Sequence, residues 1–523
     1  MTDSEIILCS GIKMDKNYEN VLSYNEEDMV SLCRGHSIYT GNKYKIVGVR
    51  ENVVNVSARY EDCIYANYIA FINRKYGNKW FFGWITDVKL LNPNTTEITF
   101  QIDVFSTWYS RFNLNQAFIE REHVSDDTIG KHTIPEGLET GEYILNPTTE
   151  GNINIGQNTY IVLGLSEMPS SIGSIPSGVK QYGGIFSGLI YVAFENGGDA
   201  EHFIRVLQNY ITEDIIYTAF IVPTTLLPNI TFNTVTVDTT TVKYGFVTYT
   251  SNEVVMSNPF ANKYYTLDGF SPVNNKLKTF PYQYLLIDNN AGSSQVYHYE
   301  DWVDTVDDKC NFVVVGVVSP GCGIRLIPAN YKGLDVNNIE GLDASKLPTC
   351  GWTNDAYTNW LTQNAVNIPL GIAVDTLKTV GGAFTGNASS FTGGLAGITS
   401  TLTQMYEKSL TPITAKGGVN QGDLTYAMRL GFNIYHYSIR KEYAKILDSY
   451  FSRFGYKVNE VKTPNLNSRS KFNFIKVGGM DELVTGNIPA SALEEINSIF
   501  RKGVTIFHNY NDIGNYTISN PIV

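Results

Sequence analysis

Residues 379–406, TVGGAFTGNASSFTGGLAGITSTLTQMY, contain no charged side chain in 28 positions, six Gly and nine Ser or Thr. Around and through this stretch, Leu370, Val374, Leu377, Val380, Phe384, Ala388, Phe391, Leu395, Ile398, Leu402 and Met405 follow at steps of three or four, a mean of 3.5. That is the spacing of one apolar stripe on a helix. The opposite face is Gly, Thr, Ser and Asn. Each Gly disfavours a helix in water by about 0.8–1 kcal/mol relative to Ala. Lack of charge disfavours a solvated linker. A segment undecided in water becomes helical where its backbone cannot be solvated, which points to a membrane. A flexible Gly/Thr-rich insertion and a tightly packed helix hairpin are the alternatives on composition alone.

The rest of the chain is of a different kind. Its 523 residues suffice for several domains. Only 17% are charged, against about 25% in ordinary soluble proteins. The 34 Tyr suit strands and broad subunit contacts. The formal charge of −12 argues against a protein that grips phosphates, which needs basic patches. Cys9, Cys33, Cys63, Cys310, Cys322 and Cys350 form no CxxC pair and no zinc spacing with His, so free thiols of a cytosolically folded chain are expected. The first residues carry acids early and do not read as a signal peptide. No run reaches 18 apolar residues, so no constitutive membrane span is expected.

Residues 1–145 read as β. Residues 79–85 form a strand, Asn92-Pro93-Asn94 a turn, and Ile98, Phe100, Ile102 and Val104 alternate with polar residues at period two. Residues 164–184 read as a loop, and residues 185–194, 200–211 and 215–222 as a β-α-β unit. Residues 231–250 alternate like strands, and 265–330 return to short strands with turns at Asn274-Asn275 and Asn289-Asn290. Thr353-Asn354-Asp355 is read as a cap opening a short helix through Leu361. Asp423 is read as the cap of a long helix over 423–454, with Leu424, Met428, Ile434, Tyr435, Ile446, Tyr450 and Phe454 as its stripe and Gly455 as its stop. A second amphipathic helix is expected from Ala490 to Phe500.

Catalytic signatures are missing. There is no Gly-x-x-x-x-Gly-Lys-Ser/Thr, no GxGxxG after a strand and no GxSxG. His123 and His132 flank Asp126 and Asp127, which raises a metal or acid/base site, although a satisfied loop network at a subunit contact is the simpler reading. Pairs such as Asp307-Asp308 and Glu494-Glu495 do not stand out as a glycosidase dyad. No enzyme, cofactor or metal is expected.

Several blocks together carry a resemblance. They are YANYIAFINRKYGNKWFFGWITDV (65–88), TEITFQIDVFSTW (96–108), FIEREHVSDDTIGKHTIPEGLETGEY (118–143) and LDGFSPVNNKLKTFPYQYLLIDNNAG (267–292). FGYKVNEV (454–461), FNFIKV (472–477) and IPASALEEINSIFRKGVTIFH (488–508) complete them. In order and spacing the chain resembles the distal tail tube, or tail knob, proteins of small short-tailed bacteriophages (Picovirinae-like podophages) of Gram-positive hosts. The resemblance implies a mainly β fold with α+β insertions. Tail-tube-like β domains would form a ring of six at the distal end of the virion tail. Two helices would flank a long apolar loop. It further implies that the loops plug the channel and then help open the host cytoplasmic membrane for viral DNA; the −12 charge of each chain adds the expectation of a lumen poor in Lys and Arg. An upper tail tube or lower collar protein would be the partner above.

On this reading residues 1–150 are a β tube domain and 151–265 an α+β knob. Residues 266–365 are a second tube segment, 366–422 the apolar loop, and 423–523 the long helix with a closing tube segment. Leu377, Val380, Phe384, Phe391, Leu395, Ile398, Leu402 and Met405 are the expected membrane-active residues. A receptor-binding spike recognising wall carbohydrate is the alternative function, since Tyr, Asn and Trp on β loops suit sugars. A cell-wall hydrolase is a third.

Overall fold

A computed structural model describes residues 4–353 and 430–523, apart from 43–51, 333–349 and shorter stretches between 75 and 322 and at 480–481. The chain forms two compact units. One comprises Met1–Gly141, Phe270–Leu277 and Lys441–Val523; the other comprises Glu142–Gly269 and Lys278–Arg440.

The first unit holds a six-stranded antiparallel sheet in the order Ser37–Asn42, Ser4–Cys9, Tyr68–Asn73, Trp80–Asn92, Thr95–Ile102, Val53–Val56. The period-two pattern decides its faces. Ile98 and Phe100 are buried against Ile6, Leu8, Val54, Val56, Ile69 and Phe71, while Thr99 and Gln101 turn away. Each fully buried side chain of this kind stabilises by roughly 1.5–3 kcal/mol. The expected turn joins the two longest strands, and the Asn92 side-chain oxygen accepts the Asn94 N–H at 3.0 Å. The expected alternation stops two residues early. Asp103 accepts the Ser106 N–H at 3.0 Å and caps the short helix Val104–Trp108, so Val104 opens a helix instead of prolonging the strand.

A second sheet of this unit runs Asn20–Leu22, Val504–Phe507, Phe472–Val477, Ala117–Glu122, Tyr456–Lys462. Helices Lys441–Phe454 and Ala490–Lys502 pack on its Phe472–Val477 strand. The latter helix is the one expected from residue 490, extended by two residues to a Gly503 stop at φ 92°.

The other unit contains a five-stranded sheet in the order Ile216–Pro223, Thr159–Leu165, Ile190–Phe194, Thr240–Phe246, Phe232–Val237. Ile190–Phe194 and Ile216–Pro223 both run antiparallel to Thr159–Leu165 between them, and are therefore parallel to each other. Helix Gly197–Tyr210 connects them. The β-α-β unit is real but split by a strand that its own sequence pattern did not announce. Ala200, Phe203, Ile204 and Leu207, one helical face, are buried with Ile161, Leu163 and Val192 of the sheet. A four-stranded antiparallel meander follows: Glu253–Asn262, Lys309–Val317, Gly323–Pro328, Cys350–Thr353. The last sheet runs Tyr143–Asn146, Leu430–Ile439, Gln283–Asp288, Ser294–Tyr297, and Ile153–Gly156 also pairs with Leu430–Ile439.

That last sheet corrects the expected helix over 423–454. Residues 423–429 lie outside the described set, Leu430–Ile439 is a strand, and a helix starts only at Lys441. Phe432, Ile434, His436 and Ser438 are buried while Gly431, Asn433, Tyr435 and Tyr437 are half-buried, a period of two. Strands on both sides supply the hydrogen bonds, which outweighs a helical spacing that several apolar residues share by chance. Ile434 and Tyr435, taken as one stripe, lie on opposite faces. In the helix proper the buried side is Ala444, Leu447, Asp448 and Phe451, and Ile446 is 66% exposed.

Candidate functional site

The eight expected membrane-active residues, Leu377, Val380, Phe384, Phe391, Leu395, Ile398, Leu402 and Met405, lie outside the described residues, as does the expected helix after Thr353. The described residues nearest to the apolar segment are strands, not helices. Upstream, Cys350–Thr353 is hydrogen-bonded to Gly323–Pro328. Downstream, Leu430–Ile439 lies inside a sheet with partners on both sides. No helix among the described residues is long and apolar enough to cross a membrane.

The His/Asp loop of residues 123–132 builds no acid/base site. His123 is buried; its Nδ1 accepts the Phe474 N–H at 2.8 Å and its Nε2 faces the Ser452 carbonyl at 3.1 Å, which assigns the proton to Nε2. Burial, then the Arg469 charge, lowers its pKa to about 3. His132 Nε2 meets the Asp126 carbonyl at 2.8 Å, and burial lowers its pKa too. The Asp126 carboxylate takes Thr128 and Lys131, whose hydrogen bonds hold it below the usual carboxylate range. These are the partners of a satisfied loop.

Beyond this loop lies a network that the sequence reading did not single out. Glu136, its side chain almost fully buried, pairs with Arg121 and Lys276 and accepts the Lys457 N–H at 2.9 Å. Arg121 also donates to the Gly455 carbonyl at 2.7 Å and lies over the Tyr450 ring. Lys276 lies over the Tyr456 ring, and burial lowers its pKa despite the Glu136 partner. Asp127 accepts the Tyr456 hydroxyl at 2.7 Å and the Asn275 N–H at 3.0 Å. Asp448 accepts the Val273 N–H at 3.1 Å, the Asn274 N–H at 3.0 Å and the Asn274 side-chain amide at 2.8 Å. Its only trace in the sequence is the run of polar residues Asn274-Asn275-Lys276 between apolar ones.

Among the described residues no group of three or more His, Cys, Asp or Glu is placed to hold a metal. Cys9, Cys33, Cys63 and Cys310 are buried thiols outside any disulfide. Asp308 accepts the Tyr265 hydroxyl at 2.6 Å, and Glu494 pairs with Arg501 at 3.0 Å.

Both units are mainly antiparallel β with small helices, and the polar clusters described above are closed on themselves. Residues 2–113, which include the six-stranded sheet, match the caudoviral major tail protein N-terminus. Residues 246–521, more than half of the chain, match the C-terminal domain of the tail knob protein gp9 of Bacillus phage phi29. The chain belongs to this phage tail knob protein family. Similar relatives are the tail knob proteins gp9 of Bacillus phage PZA, 27% identical over 93% of this chain and 92% of the relative, and of Bacillus phage phi29, 25% identical over 94% and 93%. The fold is similar to that of the bacteriophage C1 tail knob protein gp12, with a TM-score of 0.60 at 15% identity, covering 99% of this chain and 100% of the other. As a tail knob protein the chain is a structural component of the virion at the distal end of its tail, not an enzyme.

Proposed function

We propose that six copies of the chain form the distal tube of the tail. In this reading the tube conducts the genome, and the apolar segment closes the bore before ejection and then enters the host cytoplasmic membrane. The observation that carries the reading is the uncharged, striped segment of residues 379–406 in a tail knob protein, with sheet strands as its nearest described neighbours on both sides. Six such segments exposed on a virion invite aggregation, whereas inside a narrow bore they bury their stripes against one another. Held at both ends, they can swing out without leaving the tube. As a helix the 28 residues reach about 42 Å, enough for a hydrocarbon core of about 30 Å. The stripe then faces lipid and the Thr/Ser/Gly face lines an aqueous pore. The −12 charge of each chain supports a lumen along which DNA slides without counterion-releasing contacts. The upper end would meet the upper tail tube or lower collar protein.

A peptide covering residues 379–406 should gain helicity with liposomes and release entrapped dye. Phe384→Asp with Phe391→Asp should abolish the leakage and, in the full chain, leave tail assembly intact. Undiminished leakage by the double variant, or none from the parent at any lipid composition or pH tried, leaves the segment a plug or linker.

One observation favours the second reading, a receptor-binding spike. Tyr143, Tyr284 and Tyr437 form a ring ladder with centroids 5.4–5.6 Å apart, continued by Phe280, which stacks on His298 at 4.2 Å. Tyr143 and Phe280 are 36% and 40% exposed, and open aromatic faces suit sugar rings.

A further inference from the structure

We propose that the eight residues Phe270–Leu277 are a latch that makes the two units of the chain respond as one. The chain crosses between the units after residues 141, 269, 277 and 440, and this octapeptide is the piece that the first unit takes out of the middle of the second. Carboxylates hold it alongside the buried Pro272 and Leu277. Four consecutive residues, Val273 to Lys276, each donate to a carboxylate of the first unit: Val273 and Asn274 to Asp448, Asn275 to Asp127, Lys276 to Glu136. The Asn274 side-chain amide also reaches the Asp448 carbonyl at 3.0 Å and Ser452 Oγ at 2.8 Å. The Val273 side chain, by contrast, is 80% exposed. Asp448 is the hub, because its carboxylate takes three of these donors while 7% exposed. Hydrogen bonds to a charged acceptor are about twice as strong as neutral ones.

Connectivity turns this grip into a coupling. Just past the latch lies the strand Gln283–Asp288, paired along its whole length with Leu430–Ile439. Just past Leu430–Ile439, separated by Arg440 alone, begins helix Lys441–Phe454, which carries Asp448. Two neighbouring strands of one unit thus run directly into two parts of the other unit that Asp448 pins together. A displacement of Leu430–Ile439 pulls on both halves of the latch.

The test is calorimetry and hydrogen exchange on the full-length chain, which succeeds or fails whatever the liposome result. Wild type should unfold in one transition. Asp448→Asn keeps the side-chain volume but turns an amide toward the donors; it should split unfolding into two transitions and speed exchange of the Val273 and Asn274 amides by about 100-fold. Asn274→Ala, which leaves the helix untouched, should split it as well and provides the answer if Asp448→Asn does not fold. Two transitions in wild type, or one lowered transition in the variants, would overturn the latch and leave a plain stabilising contact.

Discussion

His123 shows how a titratable side chain is spent on structure. Its neutral ring accepts from Phe474 and donates to Ser452, so a second proton would need a place where an N–H already points. Its folded pKa, about 3, lies below the usual value of about 6.5 for the unfolded chain. The unfolded chain therefore takes the proton first as pH falls. The contribution of His123 is complete above about pH 6.5 and is lost on going down toward pH 3, at up to about 1.4 kcal/mol per pH unit. His123→Gln should be less stable at pH 7 by roughly 1–3 kcal/mol yet flatter between pH 6.5 and 5, as read from urea midpoints. Equal slopes for both proteins would assign the pH dependence to other groups.

At the level of elements, the end of helix Lys441–Phe454 carries a sharp constraint. Gly455 closes it at φ 64° with its N–H on the Phe451 carbonyl at 2.8 Å, as its sequence position suggested. The position needs glycine for a further reason. A Cβ there would lie 2.0 Å from the Glu122 carbonyl oxygen, in the neighbouring strand of the second sheet. Gly479, at φ 71°, has nothing within 4 Å of its Cβ position. Gly479→Ala should therefore cost only the left-handed penalty of about 1–2 kcal/mol. Gly455→Ala should cost clearly more, because backbone must move as well. Denaturant midpoints of the two variants, compared at equal m-values, decide it; equal losses would mean that the sheet yields at Glu122.

For the molecule as a whole, the proposed ring makes the state of association the main observable. The aromatic surplus, with rings such as Phe280 still partly open, leaves apolar surface for subunit contacts. A closed rotational ring is expected to give about six times the 58.3 kDa of one chain by light scattering at micromolar concentration, and a hollow six-fold image in negative stain. A solid trimeric spike would favour the carbohydrate-binding reading. A lone chain would mean that a tail partner imposes the symmetry.

Local features of the chain were legible in the sequence. Alternation at Ile98 and Phe100, the Asn92–Asn94 turn, the helix over 490–500 and the Gly455 stop each depend on a few consecutive residues, where period and turn chemistry act directly. The missing catalytic motifs and the family blocks likewise pointed to a structural tail protein. Three features needed the tertiary structure. Residues 430–439 satisfied a helical stripe as well as a strand, and only the flanking strands Tyr143–Asn146 and Gln283–Asp288, over 140 residues upstream, settled them as β. Thr159–Leu165 splits the β-α-β unit because a sheet inserts strands by hydrogen bonding, which leaves no mark in local periodicity. The grip of Asp448, Asp127 and Glu136 on Val273 to Lys276 joins residues 140 to 175 positions apart; single polar side chains carry no period, so only the fold could bring them together.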